Sequence, residues 1–198
     1  QPKPLQIAGQ VASYCSAIPA TAVTMFGVIS QVYRSKIRWD IVPLAFLLGV
    51  AGWAIGGFAA IVDSTIYINK IMHNTLWVPG HFHTYMLTGV ILFILGYLFY
   101  IGQNKEELSK DKLSKIGFWT FLIAAHGFIA SFYAGGMNSV PRRYSDYKGI
   151  PIESTHSIGA KLAQLSTIFI SILLIGLFIM YISMLTKLFK WSRDPSRT

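Results

Sequence analysis

The chain has 198 residues, 53% of them hydrophobic and only 13% charged, and carries a net charge of +9 from 17 Lys and Arg against 8 Asp and Glu. A soluble domain carries about 25% charged residues, and the mean hydropathy here is +0.50. These values exclude a soluble enzyme, a disordered tail and, with Cys15 as the single cysteine, a secreted disulfide scaffold, and they point to a polytopic membrane protein. Gln1 opens directly into Pro-Lys-Pro with neither an initiator Met nor a signal peptide, a start that reads as the middle of a longer chain or as a processed product.

A helix needs about 20 apolar residues to cross the hydrocarbon core. Five stretches meet that length, at about 7–33, 41–62, 78–101, 116–137 and 158–185. The expected fold is all-α: a polytopic transmembrane bundle of five helices forming a single membrane domain over 1–198. The first span carries Tyr14, Ser16, Thr21 and Thr24 around Ile18-Pro19. Thr21 and Thr24 are three apart and share a face, so their hydroxyls can order a chain of water; back-bonding to the helix is the plainer alternative. The second span holds Gly49, Gly52, Gly56 and Gly57, residues that let helices pack closely in lipid. Asn69 and His73 follow in the next loop. The third span opens with two histidines, and its aromatics Phe93, Tyr97, Phe99 and Tyr100 read as packing and lipid contact. In the fourth span His126 lies about 11 residues past Lys115, near mid-membrane at 1.5 Å per residue, where a buried, hydrogen-bonded histidine is expected. Glu153 and His156 read as a solvated entrance to the fifth span, and Lys161 as a residue that snorkels to the interface.

The loops sort by charge. Arg34, Lys36 and Arg38, then Lys105, Lys110, Lys112 and Lys115, then Lys187, Lys190, Arg193 and Arg197 fall on one side, eleven basic residues against six on the other. The positive-inside bias places the N-terminus outside and the C-terminus in the cytoplasm. Membrane orientation accounts for the positive charge, so nucleic acid is not an expected partner.

The sharpest feature is Trp77-Val78-Pro79-Gly80-His81-Phe82-His83. Pro79 suits a helix start because its missing N–H is an orphan there anyway, and Gly80 leaves room for a bulky group to approach the backbone. Residues two apart on a helix lie about 200° apart. His81 and His83 therefore point to opposite faces and are ill placed to share one small metal ion, but each can hold a separate prosthetic group, and imidazole is a standard axial ligand of haem iron. Anchoring of a helix end is the bland alternative. Haem propionates need neutralising, and Pro141-Arg142-Arg143 offers two guanidinium forks that match carboxylates bidentately. Both arginines sit on the side with fewer basic residues, although two solvated arginines remain the plainer reading. Asn69 and His73, on the same side, can hydrogen-bond propionates or ordered water.

The run His73-Asn74-Thr75-Leu76-Trp77-Val78-Pro79-Gly80-His81-Phe82-His83 resembles the signature of subunit I of the haem-copper oxygen reductases, most of all in its B-family form. Val140-Pro141-Arg142-Arg143-Tyr144-Ser145-Asp146-Tyr147 is similar to the propionate-binding loop of the same subunit. The resemblance covers essentially the whole chain, as the last five helices of a subunit with twelve or more. It implies that His81 is the proximal ligand of the high-spin haem and His83 one ligand of the low-spin haem. It implies that Arg142 and Arg143, with His73 and Asn69, hold propionates, although Asn69 falls where some B-family members have an acid. Asn74 sits where the A family has an Asp that helps bind magnesium, so that ion is not expected. In the family, the helix that this chain's first span matches lines a proton path from the cytoplasm, which implies that role for Thr21 and Thr24, and for Tyr14 and Ser16.

The implied function is that of a respiratory terminal oxidase, an oxidoreductase reducing oxygen to water with proton translocation. The resemblance implies that copper, in the complete active site, is ligated by residues outside this chain: His73, His126 and His156 are not at positions that could supply a copper trio beside the axial pair. The expected partners are the remaining N-terminal helices of subunit I, subunit II, small membrane subunits, and quinol or a small electron carrier such as cytochrome c, in the cell membrane of a prokaryote. A nitric oxide reductase of the same superfamily is the nearest rival. A haem-free transporter or structural subunit, with His81 and His83 lining a polar cavity, is the rival from another class.

Overall fold

The computed structural model describes residues 2–102, 111–143 and 153–192, without the side chains of Glu153, Ser154, His156 and residues 188–192. The loop basic residues Lys105, Lys110, Arg193 and Arg197, the side chain of Lys190, residues 144–147 of the second motif and the side chains of Glu153 and His156 lie outside that description.

The described residues are all-helical. They form α1 (Lys3–Arg34), α2 (Ile41–Ser64), a short α3 (Ile66–Met72), α4 (Trp77–Tyr85), a π-helical turn (Met86–Val90), α5 (Ile91–Gly102), α6 (Lys112–Met137) and α7 (Glu153–Ser192). Helix α4, the π turn and α5 run on as one rod over Trp77–Gly102, and five helices are long and apolar enough to cross a membrane. The expected spans hold, each extended at one or both ends except for the start of α2 and the end of α6. Two features had no sequence signal: α3, too short for a periodicity, and the π turn.

The core sits between α2, α5, α6 and α7, where Leu92, Phe99, Phe118, Phe121 and Met180 are almost fully buried. Its outer surfaces carry exposed large apolar residues such as Val23, Phe26, Ile123 and Phe178. Lipid tails are as apolar as these side chains, so helix association rests on close packing rather than on burial from water. Glycine supplies that packing on α2. A Cβ at Gly52 would lie 2.2 Å from the carbonyl oxygen of Thr88 in the π turn, one at Gly56 2.9 Å from the Tyr85 ring, and one at Gly49 2.8 Å from Phe93. These glycines stack along one face at i, i+3 and i+7. Helix α1 buries no residue completely and packs mainly on α2.

The most extensive helix pair, α6 with α7, is locked near one end by a polar cluster. Asp111 caps α6 by accepting the Ser114 N–H at 3.0 Å. Its other oxygen accepts the Ser183 hydroxyl at 2.9 Å and the Lys187 ammonium. Ser114, itself buried, donates to Ser183 at 3.0 Å. Burial pushes the Asp111 carboxyl up, but the bonds from Lys187, Ser114 and Ser183 outweigh it and hold the pKa at about 2. A lowered carboxyl pKa contributes stability above the ordinary value of 3.8 that is lost as pH falls through about 2.

Two outcomes follow for the purified protein in detergent. The unfolding temperature of the wild type falls over that acid window, and Asp111→Asn flattens the dependence while lowering stability at neutral pH. Gly52→Ala forces a methyl into a backbone carbonyl and lowers stability by about 1–3 kcal/mol, whereas Gly27→Ala, which meets no neighbour within 4 Å, does not.

Candidate functional site

The His81 helix begins where two loops are stitched together. Thr75 is buried; its hydroxyl donates to the Met72 carbonyl at 2.8 Å and accepts the Trp77 N–H at 3.2 Å, so it serves as the cap that α4 lacks at Leu76. Leu76 N–H donates to the Val140 carbonyl and Arg142 N–H to the Asn74 carbonyl, each at 2.9 Å. Thr75 and Pro141 thereby form an antiparallel bridge. The two sequence motifs, far apart in the chain, are adjacent at the backbone.

The second motif is held in an unusual conformation. Ser139 and Arg143 have φ of 58° and 67°, left-handed values that cost non-glycine residues about 1–3 kcal/mol each and persist only where the surroundings over-determine them. The surroundings here are the bridge to Asn74–Leu76 and the Val140 N–H bond to the Gly135 carbonyl at 2.9 Å. Arg142 is half-buried and Arg143 exposed. Beside this turn α6 approaches the start of α4 so closely that a Cβ at Gly136 would lie 2.4 Å from the Trp77 nitrogen.

The histidines do point to opposite faces. His83 faces α6, stacked on Phe132 (centroids 5.2 Å, 16°) and set edge-on to Phe128. Its Nδ1 donates to the Pro79 carbonyl at 2.6 Å. His81 faces α2. Its Nδ1 lies 2.7 Å from a carboxylate oxygen of Asp63, near the end of α2. A carboxylate only accepts, so Nδ1 carries the proton and Nε2 presents its lone pair. That Nε2 is buried and has no hydrogen-bond partner. An unsatisfied buried acceptor costs about 1–3 kcal/mol, and a metal ion is the partner that an imidazole held this way accepts. The residues present thus fit an axial ligand. The Trp77 indole N–H nearby is also buried without a partner.

Two expectations change. The space left by Gly80 is taken by α6: an added Cβ would meet Tyr133 at 3.2 Å and Phe132 at 3.3 Å. His126 is hydrogen-bonded, its Nδ1 2.8 Å from the Leu122 carbonyl, but exposed rather than buried. It falls on the exposed stripe of α6 shared with Trp119 and Ile123, beside the buried stripe of Phe118, Phe121, Leu122 and Ala125. The Asn69 side-chain amide donates to the Asp63 main-chain carbonyl at 2.6 Å.

Asn69 and the exposed His73 line a polar cavity of ≈ 520 Å³ among α1, the end of α2 and α3, with Gln10, Ser13, Asp63 and Lys70. Tyr14 sits near it, hydrogen-bonded to the Thr65 hydroxyl at 2.5 Å. A smaller cavity of ≈ 210 Å³ between α1, α2 and α4 is lined by Ser16, Thr21, Trp53, Gly57 and Tyr85. Ser16 also bonds back to the Ala12 carbonyl at 2.9 Å. Thr24, half-buried on α1, is not among the residues lining either cavity. Sequence reasoning missed Asp63 and Tyr133, whose hydroxyl bonds Thr84 at 3.0 Å beneath His81. The available signal for Asp63 was an acid placed at the end of an apolar helix.

The fold and this site define a multi-pass helical membrane protein with two imidazoles on opposite faces of one helix. A sequence model of the family described as Cytochrome C and Quinol oxidase polypeptide I matches residues 1–172, and the chain belongs to that family, an oxidoreductase family. It is 31% identical over 163 residues to cytochrome c oxidase polypeptide 1 of Halobacterium salinarum, covering 79% of this chain and 27% of that protein. It is 28% identical over 152 residues to cytochrome c oxidase subunit 1 of Corynebacterium diphtheriae, covering 75% and 26%. The chain thus spans about a quarter of the length of these relatives. Among solved structures, one reported as a heme-copper terminal oxidase dimer superposes with a TM-score of 0.72 at 20% identity, over 94% of this chain and 37% of that one; this supports the fold.

The strained turn is directly testable. Ser139→Gly relieves a left-handed residue and is expected to raise stability by about 1 kcal/mol, measured as a higher unfolding temperature with unchanged helicity.

Proposed function

We propose that the chain forms part of the catalytic subunit of a respiratory terminal oxidase, supplying His81 as the proximal ligand of a high-spin haem and His83 as one ligand of a low-spin haem. The observation that carries this reading is the buried, partnerless Nε2 of His81, oriented through Nδ1, on a helix whose other face presents His83. When bound, the two haems supply electron transfer and, with copper ligated by residues outside this chain, the reduction of oxygen to water.

The chain's own residues position and insulate. His83 is fixed by the Pro79 carbonyl and by the Phe128 and Phe132 rings, which keep water from that side. The backbone bridge that ties Arg142 and Arg143 to the start of the His81 helix supports a role for both in binding propionates, with His73 and Asn69 as further donors. Thr21 lines a cavity with Tyr85, whose ring centroid lies 5.1 Å from that of His81, which supports a part for Thr21 in carrying protons; the proposal extends to Thr24, Tyr14 and Ser16. The orientation follows the charge bias, with the Asp63 end outside and the Asp111 end cytoplasmic, in a prokaryotic cell membrane. The implied partners are the remaining helices of subunit I, subunit II with small membrane subunits, and quinol or a small electron carrier.

The test is a set of reduced-minus-oxidised and carbon monoxide difference spectra on the assembled complex. His81→Ala is expected to remove the CO-binding haem, and His83→Ala the low-spin band. Unchanged haem signals in both variants overturn the reading.

A further inference from the structure

We propose that Asp63 is a positioning residue for His81: its carboxylate holds the imidazole by Nδ1 and makes Nε2 a stronger donor to iron than a neutral imidazole is. The proposal rests on the reading of His81 as the proximal haem ligand.

Asp63 also lines the polar cavity with Lys70, but within its own helix its position is unfavourable for a charge. It lies in the last turn of α2, where the helix dipole disfavours negative charge, and α2 has no basic residue in its last turn. Asn69, its nearest polar neighbour on α3, donates to its main-chain carbonyl and not to the carboxylate. The carboxylate oxygen instead lies 2.7 Å from His81 Nδ1, with both side chains about four-fifths buried (20% and 18% exposed). Charge-assisted bonds of this kind are short and roughly twice as strong as neutral ones.

The neighbouring histidine provides the contrast. His83 Nδ1 donates to a backbone carbonyl, that of Pro79. Both arrangements fix the tautomer that leaves Nε2 free, but only a carboxylate draws the Nδ1 proton strongly enough to give the ring imidazolate character and raise its basicity as a ligand. Two ligands two residues apart on one helix are thus given unequal donor strength, one by a charge and one by a dipole. The stronger donor favours ferric over ferrous iron and lowers the potential on the His81 side alone.

The experiment uses the assembled oxidase carrying Asp63→Asn or Asp63→Glu. The iron–histidine stretching frequency of the reduced high-spin haem is read by resonance Raman, and the potential of the CO-binding haem by redox titration. The low-spin band of the same sample reports an intact fold. Asp63→Asn is expected to lower the stretch and raise the potential; a tenfold loss of preference for ferric iron appears as about 59 mV. Asp63→Glu is expected to return both towards wild type, and the low-spin haem stays put throughout. A stretch and potential unmoved by Asp63→Asn overturn the proposal. Should Asp63→Asn fail to assemble, the wild-type stretch decides: agreement with an imidazolate–haem complex supports the proposal, and agreement with a neutral imidazole–haem complex overturns it. His81→Ala separates the two levels. A CO-binding haem that survives it overturns the ligand reading itself, whereas its loss together with an unmoved Asp63→Asn stretch overturns only the role of Asp63.

Discussion

The missing side chains along one face of α2 are the constraint on which the rest of the structure depends. Gly49, Gly52 and Gly56 let α2 press against Phe93, the Thr88 carbonyl and the Tyr85 ring. In lipid, where burial from water supplies no force between helices, such contact is the main source of attraction. The same approach brings the end of α2 beneath the start of α4, so that Asp63 meets His81. A larger residue at Gly52 would move more than one contact, because the backbone it displaces carries both histidines.

From the other side α6 repeats the device with different residues. Gly135 and Gly136 admit Leu76 and Trp77, and the adjoining turn is bound by backbone hydrogen bonds to residues 74–76. Helix α4 is thus gripped between two glycine faces. Its histidines look outward in opposite directions, one to a carboxylate and one to a pair of phenylalanines. Left-handed backbone at Ser139 and Arg143 is the conformational cost of that grip.

Much of this was legible in the sequence, for reasons that differ by feature. The five spans were readable because membrane thickness fixes a run length that composition reveals directly. The divergence of His81 and His83 followed from the 100° step of an α-helix. The glycines announced close packing, though not their partners. The Asp63–His81 pair was hidden, because nothing local links an acid at one helix end to a histidine on the next rod. The two motifs gave no sign of their backbone bridge for the same reason. His126 was misjudged on depth alone; depth sets how far a residue lies from the interface, and the helical phase it shares with Trp119 and Ile123 sets which way it looks.

The π turn at Met86–Val90 has a geometric consequence for the whole third rod. A π turn amounts to one extra residue in an α-helix, so everything beyond it is rotated by about 100° relative to an unbroken helix. The histidine-bearing half and the core-packing half are therefore in different rotational phase. Phe99 and Leu92 can key into α2, α6 and α7 without dictating where the imidazoles aim. The turn works as a phase shifter, leaving the aim of the imidazoles and the fit of the core free to be set independently in a single continuous helix.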